Sequence, residues 1–484
     1  MRINIPRPPE WLPSAKGPPA ERKSAVTSLQ PLGELPGILP PSVTREFRGI
    51  NTLDSLSIGD NFATQMKNMD GYPFLETRRG FSVMGAAIGS KVIGLGTWKD
   101  TELHAIFSDG TWRRWTGSAW SSALVSGLDT STDWHFTNFK GNYSDVNLIA
   151  SNGSTVRRYD GSTVQTLSGP PAGIKFIEQF ADRLFGAKDS TLHFSGWRDA
   201  GDWSSATGDA AASGWIEVET PDGEDIVAVK PGIGHVTVFK PNSIHELFGY
   251  SPEDYTMQPV TYEVGAVNNK SIINIGGALY FVHPTGIYLY QGGMPPSKDF
   301  SLTVQKYIDG MDKGRTSEIC AATDGLKLYF YIPSRLLVYD LLHQIWNVYE
   351  DTTPNVMVGW NNTLYIGAER VYQPATNANG VNFEWITKPF GAGSFAQKVR
   401  WYRMYIVADV PIGSSLQVHL SKTIDGNDWT LAQTVTGASN IQQARIIIPV
   451  TTVADSNWVR VRFSGTGYVK IHEFTRQVRE MPIV

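Results

Sequence analysis

Histidines can hold metal or carry protons. The nine here lie apart, at His104, His135, His193, His235, His245, His283, His343, His419 and His472. No two show the His-Glu-x-x-His spacing that sets two imidazoles on one helix face around zinc. Cys320 is the single cysteine, which excludes an intrachain disulfide and any all-cysteine metal site. There is no Gly-x-Ser-x-Gly turn to expose a serine nucleophile and no Gly-x-x-x-x-Gly-Lys-Ser/Thr loop to cradle phosphate. Gly94-Leu-Gly96 and Gly391-Ala-Gly393 lack the third glycine of a dinucleotide loop, so they read as turns. Asp222-Gly-Glu-Asp225 gathers three carboxylates that could hold a cation. It lacks the regular spacing of a calcium loop, and a solvated turn fits it better. The pattern provides for no catalytic centre, no cofactor and no metal.

Glycoside hydrolysis needs two convergent carboxylates, and sequence alone does not show that any pair converges. Ser108-Asp-Gly-Thr-Trp112 and Asp425-Gly-Asn-Asp-Trp429 resemble the Asp-box turns of sialidase propellers. Those boxes are structural turns remote from catalysis, and neither copy has their full spacing. Trp112, Trp115, Trp120, Trp134, Trp197, Trp203, Trp215, Trp346 and Trp360 recur near turns. They could stack on sugars, but large aromatics more often serve core burial.

The elements that position these residues read as strands. The chain has 484 residues, 41% hydrophobic and 18% charged, with 47 glycines. The charged fraction is below the ~25% of typical domains, and the apolar mass is enough for a large core, which excludes disorder for the bulk. From residue 90 to about 375, short alternating runs follow one another between Gly, Asn, Asp and Ser. Leu103–Phe107, Val236–Phe239, Leu279–Val282, Leu326–Tyr331 and Thr363–Ile366 are examples. Only Ser301–Asp309 reads as a short helix. Ile106–Gly117 and Ile149–Gly161 share an Arg-Arg-aromatic-x-Gly core. Their Asp109-Gly110 and Asn152-Gly153 pairs predict type I′ hairpins. Weaker copies at Thr191–Phe194, Ser243–Phe248, Gly286–Tyr290, Leu336–Tyr339 and Glu369–Gln373 bring the hairpin units to seven. Propeller blades need about 40–50 residues. The expected fold is all-β, with a β-propeller of six to eight blades over 47–385. Two successive β-sandwiches are the competing reading. A Gly- and Asn-rich boundary at 377–393 leads to an antiparallel, jelly-roll-like β-sandwich over 386–484. In Val459-Arg-Val-Arg-Phe463, one face is expected to be apolar and the other basic.

Residues 1–46 form an expected extended, Pro-rich arm. Ten prolines fall within 1–41, a density that no helix or central strand survives. Trp11, Leu12, Leu29, Leu32, Leu35, Ile38 and Leu39 are its candidate subunit-interface anchors. No apolar run follows the first residues in the manner of a secretory signal, and no stretch approaches the ~20 apolar residues of a membrane helix. Synthesis in a reducing cytoplasm is the expectation. The net charge is −4, but it divides as +3 over 1–48, −11 over the middle and +4 over 395–484. No block is basic enough to grip nucleic acid.

One stretch carries a more specific pattern: Phe47, Gly49 and Asn51, then Asn61, then Asp70-Gly71, then Arg78-Arg79-Gly80. It resembles the opening of propeller-type tail proteins of tailed bacteriophages, the tail hub (packaged-DNA stabilisation) and tail nozzle families. The strand Lys398-Val-Arg-Trp-Tyr402 is similar to one in their C-terminal sandwich. The long arm before Phe47 and the Tyr72-Pro73 step depart from that pattern. The resemblance implies a non-enzymatic virion structural protein, made in the bacterial host cytoplasm and assembled into the tail. It would sit in a ring with copies of itself and other tail or head–tail proteins. The genome DNA would pass through a channel without sequence-specific binding. An acidic middle facing that channel would repel phosphate. The alternative is a host-surface carbohydrate-binding or depolymerising tail protein.

Overall fold

The computed structural model describes residues 38–481, apart from 205–208 and 392–397. Trp11, Leu12, Leu29, Leu32 and Leu35 lie outside the described residues. The fold is all-β, with a seven-bladed propeller joined to a β-sandwich.

Blade 1 is Val92–Trp98, Glu102–Phe107 and Trp112–Arg114. Blade 2 is His135–Phe139, Asn147–Ser151, Arg157–Tyr159 and Val164–Thr166. Blade 3 is Phe176–Phe180, Arg183–Lys188, Thr191–Phe194 and Gly214–Glu217. Blade 4 is Ala228–Pro231, His235–Phe239, Ile244–Phe248 and Thr256–Thr261. Blade 5 has three strands, Ile272–Ile275, Ala278–His283 and Gly286–Tyr290. Blade 6 is Cys320–Thr323, Lys327–Ile332, Arg335–Asp340 and Ile345–Tyr349. Blade 7 is Val356–Trp360, Thr363–Gly367 and Val371–Pro374, and its fourth strand, Phe81–Val83, comes from the other end of the chain. The first strand of blade 7 packs on the first strand of blade 1, and residues 84–91 carry the chain from Phe81–Val83 into Val92–Trp98, so the circle closes on a strand from the N-terminal side.

The seven repeat units of the sequence all fall on the third strands of these blades. Their turns differ from expectation. A type I′ turn needs two positive φ angles, but only the glycines have them, Gly110 at 77° and Gly153 at 93°. Asp109 Oδ1 instead accepts from Thr111 N at 3.0 Å, and Asn152 Oδ1 from Ser154 N at 3.1 Å. These short side chains hold the turn from inside, and the glycine absorbs the left-handed step that follows. The helix expected at 301–309 forms as a 3-10 turn, Asp299–Val304, running into Gln305–Asp309.

The sandwich draws on both ends of the chain. One sheet orders Met69–Asp70, Leu75–Thr77, Lys470–Glu480, Val399–Val410 and Ile441–Ile448, with Ser42–Thr44 also on Lys470–Glu480. The other orders Ala63–Lys67, Asn382–Thr387, Trp458–Thr466, Ser415–Ser421 and Thr430–Thr436, with Phe390–Gly391 also on Trp458–Thr466. The expected boundaries at 47 and 386 therefore do not follow the sheets. Strands before residue 78 belong to the sandwich, because their partners in its sheets lie more than 300 residues away. Nothing in their local pattern reveals that. Val459, Val461 and Phe463 are fully buried as expected. Arg460, expected on a basic face, is buried instead, donating to Thr387 O at 3.2 Å and to Thr64 Oγ1 at 2.6 Å.

Apolar side chains fill the seams between neighbouring blades, one cluster for each seam. Six close within the propeller. The seventh, between blades 5 and 6, runs on into the sandwich: Ile287 and Phe330 share a core with Trp385, Met404 and Phe463. Because strands from 42–77 complete both sheets, residues 386–484 expressed alone are expected not to fold. Their amide spectrum should show the narrow dispersion of an unfolded chain, whereas a chain from residue 38 gives the dispersed spectrum of the native fold.

Candidate functional site

The residues of the Phe47–Gly80 pattern converge on the joint between blade 6 and the sandwich. Phe47 is fully buried and meets Trp385 edge to face at 5.7 Å. Ile50 N donates to Trp346 O at 2.7 Å. A Cβ on Gly49 would sit 1.8 Å from that same carbonyl oxygen, so only glycine lets the two backbones meet. A Cβ on Gly71 would come within 2.9 Å of Arg48 C. Asn61 takes part through its backbone, with Arg48 N donating to Asn61 O at 2.7 Å. Asn51 Oδ1 accepts from Leu53 N at 3.1 Å and shapes the next turn. Gly80 N donates to Asn377 O at 2.9 Å, where the chain enters and leaves the propeller.

Two charged members of the pattern anchor a buried polar network. Arg78 donates from Nε to Asn68 Oδ1 at 2.8 Å, from Nη1 to Arg79 O at 2.9 Å and from Nη2 to Glu350 O at 2.9 Å. Its guanidinium lies over the rings of Phe81 at 5.0 Å and Tyr349 at 5.1 Å. Asn68 in turn donates to Asp351 Oδ2 and Asn382 O, each at 2.8 Å. Asp70 accepts from Tyr349 and pairs with Lys327 at 3.4 Å. Burial and the Asp70 carboxylate together push the Tyr349 phenol well up, so it stays a donor. Burial opposes the charge on Lys327, but Asp70, Tyr329 and Asp340 together outweigh it and the net shift is upward. Two clefts flank Arg78. One of about 430 Å³ is lined by Asp351, Glu369, Tyr372 and Asn382. The other, of about 310 Å³, is lined by Asp70, Lys327, Tyr329 and Tyr468.

Asn68, Lys327, Asn347 and Tyr349 escaped the sequence reading, and Trp346 stood out there only as a core aromatic. Trp346, Asn347 and Tyr349 sit on an ordinary blade strand, and their partners are more than 270 residues away. Ile38 and Leu39, the described anchors of the arm, line the edge of Lys470–Glu480. Ile38 bridges Arg479, and Leu39 N donates to Val478 O at 3.0 Å. Both side chains are exposed.

A second polar cluster sits where the innermost strands begin. Lys270 Nζ meets Asp133 Oδ2 at 2.6 Å and Asn355 O at 2.9 Å, and Asn355 Nδ2 donates to Asp133 Oδ1 at 2.7 Å. These residues enter blades 5, 2 and 7, which are not neighbours, so their meeting point is the propeller axis. Asn269 Nδ2 lies 3.0 Å from His135 Nδ1. Desolvation of the half-buried ring, with Lys230 adding to it, holds the His135 pKa down to about 3, so the ring is neutral and Nδ1 accepts. Side chains thus cross the axis at this mouth. Among the described residues no group of three His, Cys, Asp or Glu could hold a metal ion. No helix there is long and apolar enough to cross a membrane.

No protein-family model matches the chain, and no curated protein does. Solved structures do. The extracellular domain of a putative one-component system from B. thetaiotaomicron shares 10% identity at a TM-score of 0.44, over 84% of this chain and 61% of that one. The chain therefore spans about three fifths of that domain's length. BBS1N in complex with ARL6DN shares 12% identity at a TM-score of 0.43, over 62% and 97%. PorZ, a surface component of the type-IX secretion system of Porphyromonas gingivalis, shares 12% at 0.40, over 72% and 46%.

Arg78→Met is expected to destabilise the protein by about 3 kcal/mol, since it strips donors from three acceptors, of which Asn68 Oδ1 is buried. Urea denaturation measures this, and Arg78→Lys should recover only part of it. His135 is neutral in the fold, with its pKa far below the ordinary 6.5. Its stabilising contribution is whole above pH 6.5 and is lost as the pH falls towards about 3. Denaturation midpoints should therefore drop between pH 7 and pH 4, and His135→Gln should flatten that fall.

Proposed function

We propose that this chain is a structural protein of a bacteriophage tail. In this reading it is a hub, nozzle or head–tail joining component, built into a ring with copies of itself, and the genome passes through that ring. The observation that carries the reading is the use made of the Phe47–Gly80 residues. Phe47, Gly49, Asp70, Gly71 and Arg78 brace the propeller against the sandwich by burial, close backbone contact or a hydrogen bond. Such bracing yields one stiff block, which a ring repeated about an axis needs and which requires no reaction centre. The Lys270–Asp133–Asn355 cluster crosses each propeller's own axis. The conduit of this reading therefore lies between subunits rather than through a ring of blades.

Exposed aromatics favour the second reading, a host-surface carbohydrate-binding protein. Trp215 is 63% and Trp197 50% exposed, both in blade 3, and such rings can stack on sugars. Binding of host glycans that is lost in Trp215→Ala would support that reading over the first.

Removing residues 1–41 keeps every strand from Ser42 onward. The truncated chain is expected to fold with an unchanged melting temperature but to stay out of assembled particles. Thermal denaturation and particle composition check both halves, and normal incorporation would refute the role of the arm.

A further inference from the structure

Charge is not spread evenly over this fold. Blades 3 and 4, residues 176–261, carry fourteen acidic and five basic side chains. The whole span 81–374 carries thirty-one and twenty-one, so two blades hold nearly all the negative excess of the propeller. The connection between them supplies Glu217, Glu219, Asp222, Glu224 and Asp225 and no basic residue. All of these but Glu224 are exposed. Hydrogen bonds from Ser190 and Thr191 hold Glu217 below the usual carboxylate range, and one from Thr220 does the same for Asp222. Lys175 approaches Asp225 only to 3.7 Å. Lys240 is turned inward, fully buried, and donates to Thr220 Oγ1 at 3.1 Å.

The outer face of the sandwich has the opposite sign. Arg400 and Arg403 stand exposed on Val399–Val410, and Arg445 on Ile441–Ile448. The register pairs Val407 with Arg445 and Tyr405 with Ile447, all on the face turned away from the core. Arg403 lies over the Tyr402 ring at 5.0 Å, and Arg445 over Tyr405 at 4.5 Å. Stacking fixes the flat side of each guanidinium and leaves its N–H edges for a carboxylate. Among the described residues neither Arg403 nor Arg445 has a carboxylate within 4.0 Å, and Arg400 has Asp455 at 3.7 Å. Tyr402, 47% exposed, and Ile447, 64% exposed, add apolar surface between the charges.

Within one copy the two regions do not meet. Among the described residues no ion pair joins 176–261 to 399–480. The sandwich is carried by blades 5 and 6, on another sector of the circle. We propose that the Arg400–Arg403–Arg445 face of the sandwich is the docking site for blades 3 and 4 of a second copy. Because giver and receiver are different surfaces, the contact is heterologous. Each copy can make it twice, which is the condition for a ring. The inference rests on the ring reading above and assigns its subunit contact.

The test uses the full chain in sedimentation velocity at low and high sodium chloride. Arg403→Glu with Arg445→Glu, and separately Asp222→Lys with Asp225→Lys, should each weaken self-association by about tenfold or more at low salt. High salt should do the same to the unaltered chain. Mixing the two altered chains should restore association, since each then offers the other a complementary surface. Unchanged melting temperatures show that folding is intact. If the unaltered chain associates and the Arg403→Glu, Arg445→Glu chain associates equally well, the docking site is wrong and the ring reading stands. If those substitutions abolish binding to duplex DNA but leave association unchanged, the face serves nucleic acid and the proposal falls. If the unaltered chain stays monomeric throughout, both readings fall.

Discussion

Everything in this molecule hangs on the seam between blades 5 and 6. A propeller seals each seam with apolar side chains from two adjoining blades. Blade 5 has only three strands, so its outer flank is open. The Asp299–Asp309 turns and the N-terminal strands fill that flank, with Trp346, Phe47 and Trp385 packed in succession across it. One continuous core therefore replaces what could have been a hinge. Aromatic burial of this extent, at ~25 cal/mol per Å², amounts to several kcal/mol for each ring. Relative motion of the two parts would expose it.

Around that seam, polar groups do what apolar ones cannot, which is to set direction. Arg78 binds three acceptors at defined angles, and Asp70 collects a phenol and an ammonium. Packing alone leaves the angle between propeller and sandwich soft. A forked guanidinium with fixed partners does not. The same logic recurs at the axis, where Lys270 ties together three blades that share no edge.

Much of the fold was legible in local pattern. Alternation, turn dipeptides and the recurrent aromatic located all seven third strands, because those signals act within a few residues. Turn type was misread, since Asp109 and Asn152 build the turn with their side chains rather than by positive φ. Domain boundaries were misread for a different reason. Ala63–Lys67 looks like any short strand, and only pairing with Asn382–Thr387 places it in the sandwich. The joint was half legible: Gly49, Gly71 and Arg78 stood out, whereas Asn347 and Tyr349 did not, since each looks like a normal blade residue. Arg460 shows the limit of alternation. Its position in the strand pointed outward, but a neighbouring strand covers that face.

The threading of the chain has a temporal consequence. Ser42–Thr77 is synthesised first, yet its partners at 382–387 and 470–480 come last. During translation these strands stay unpaired while seven blades form behind them, and Phe81–Val83, made early, waits for the last blade, which it closes. Contacts of such sequence separation form slowly, and unpaired edges are exposed to wrong partners in the interval. The sandwich thus records completion: both of its sheets exist only once nearly the whole chain has left the ribosome. A copy cut short in synthesis lacks the Arg403 and Arg445 strands and has no finished surface to offer another copy.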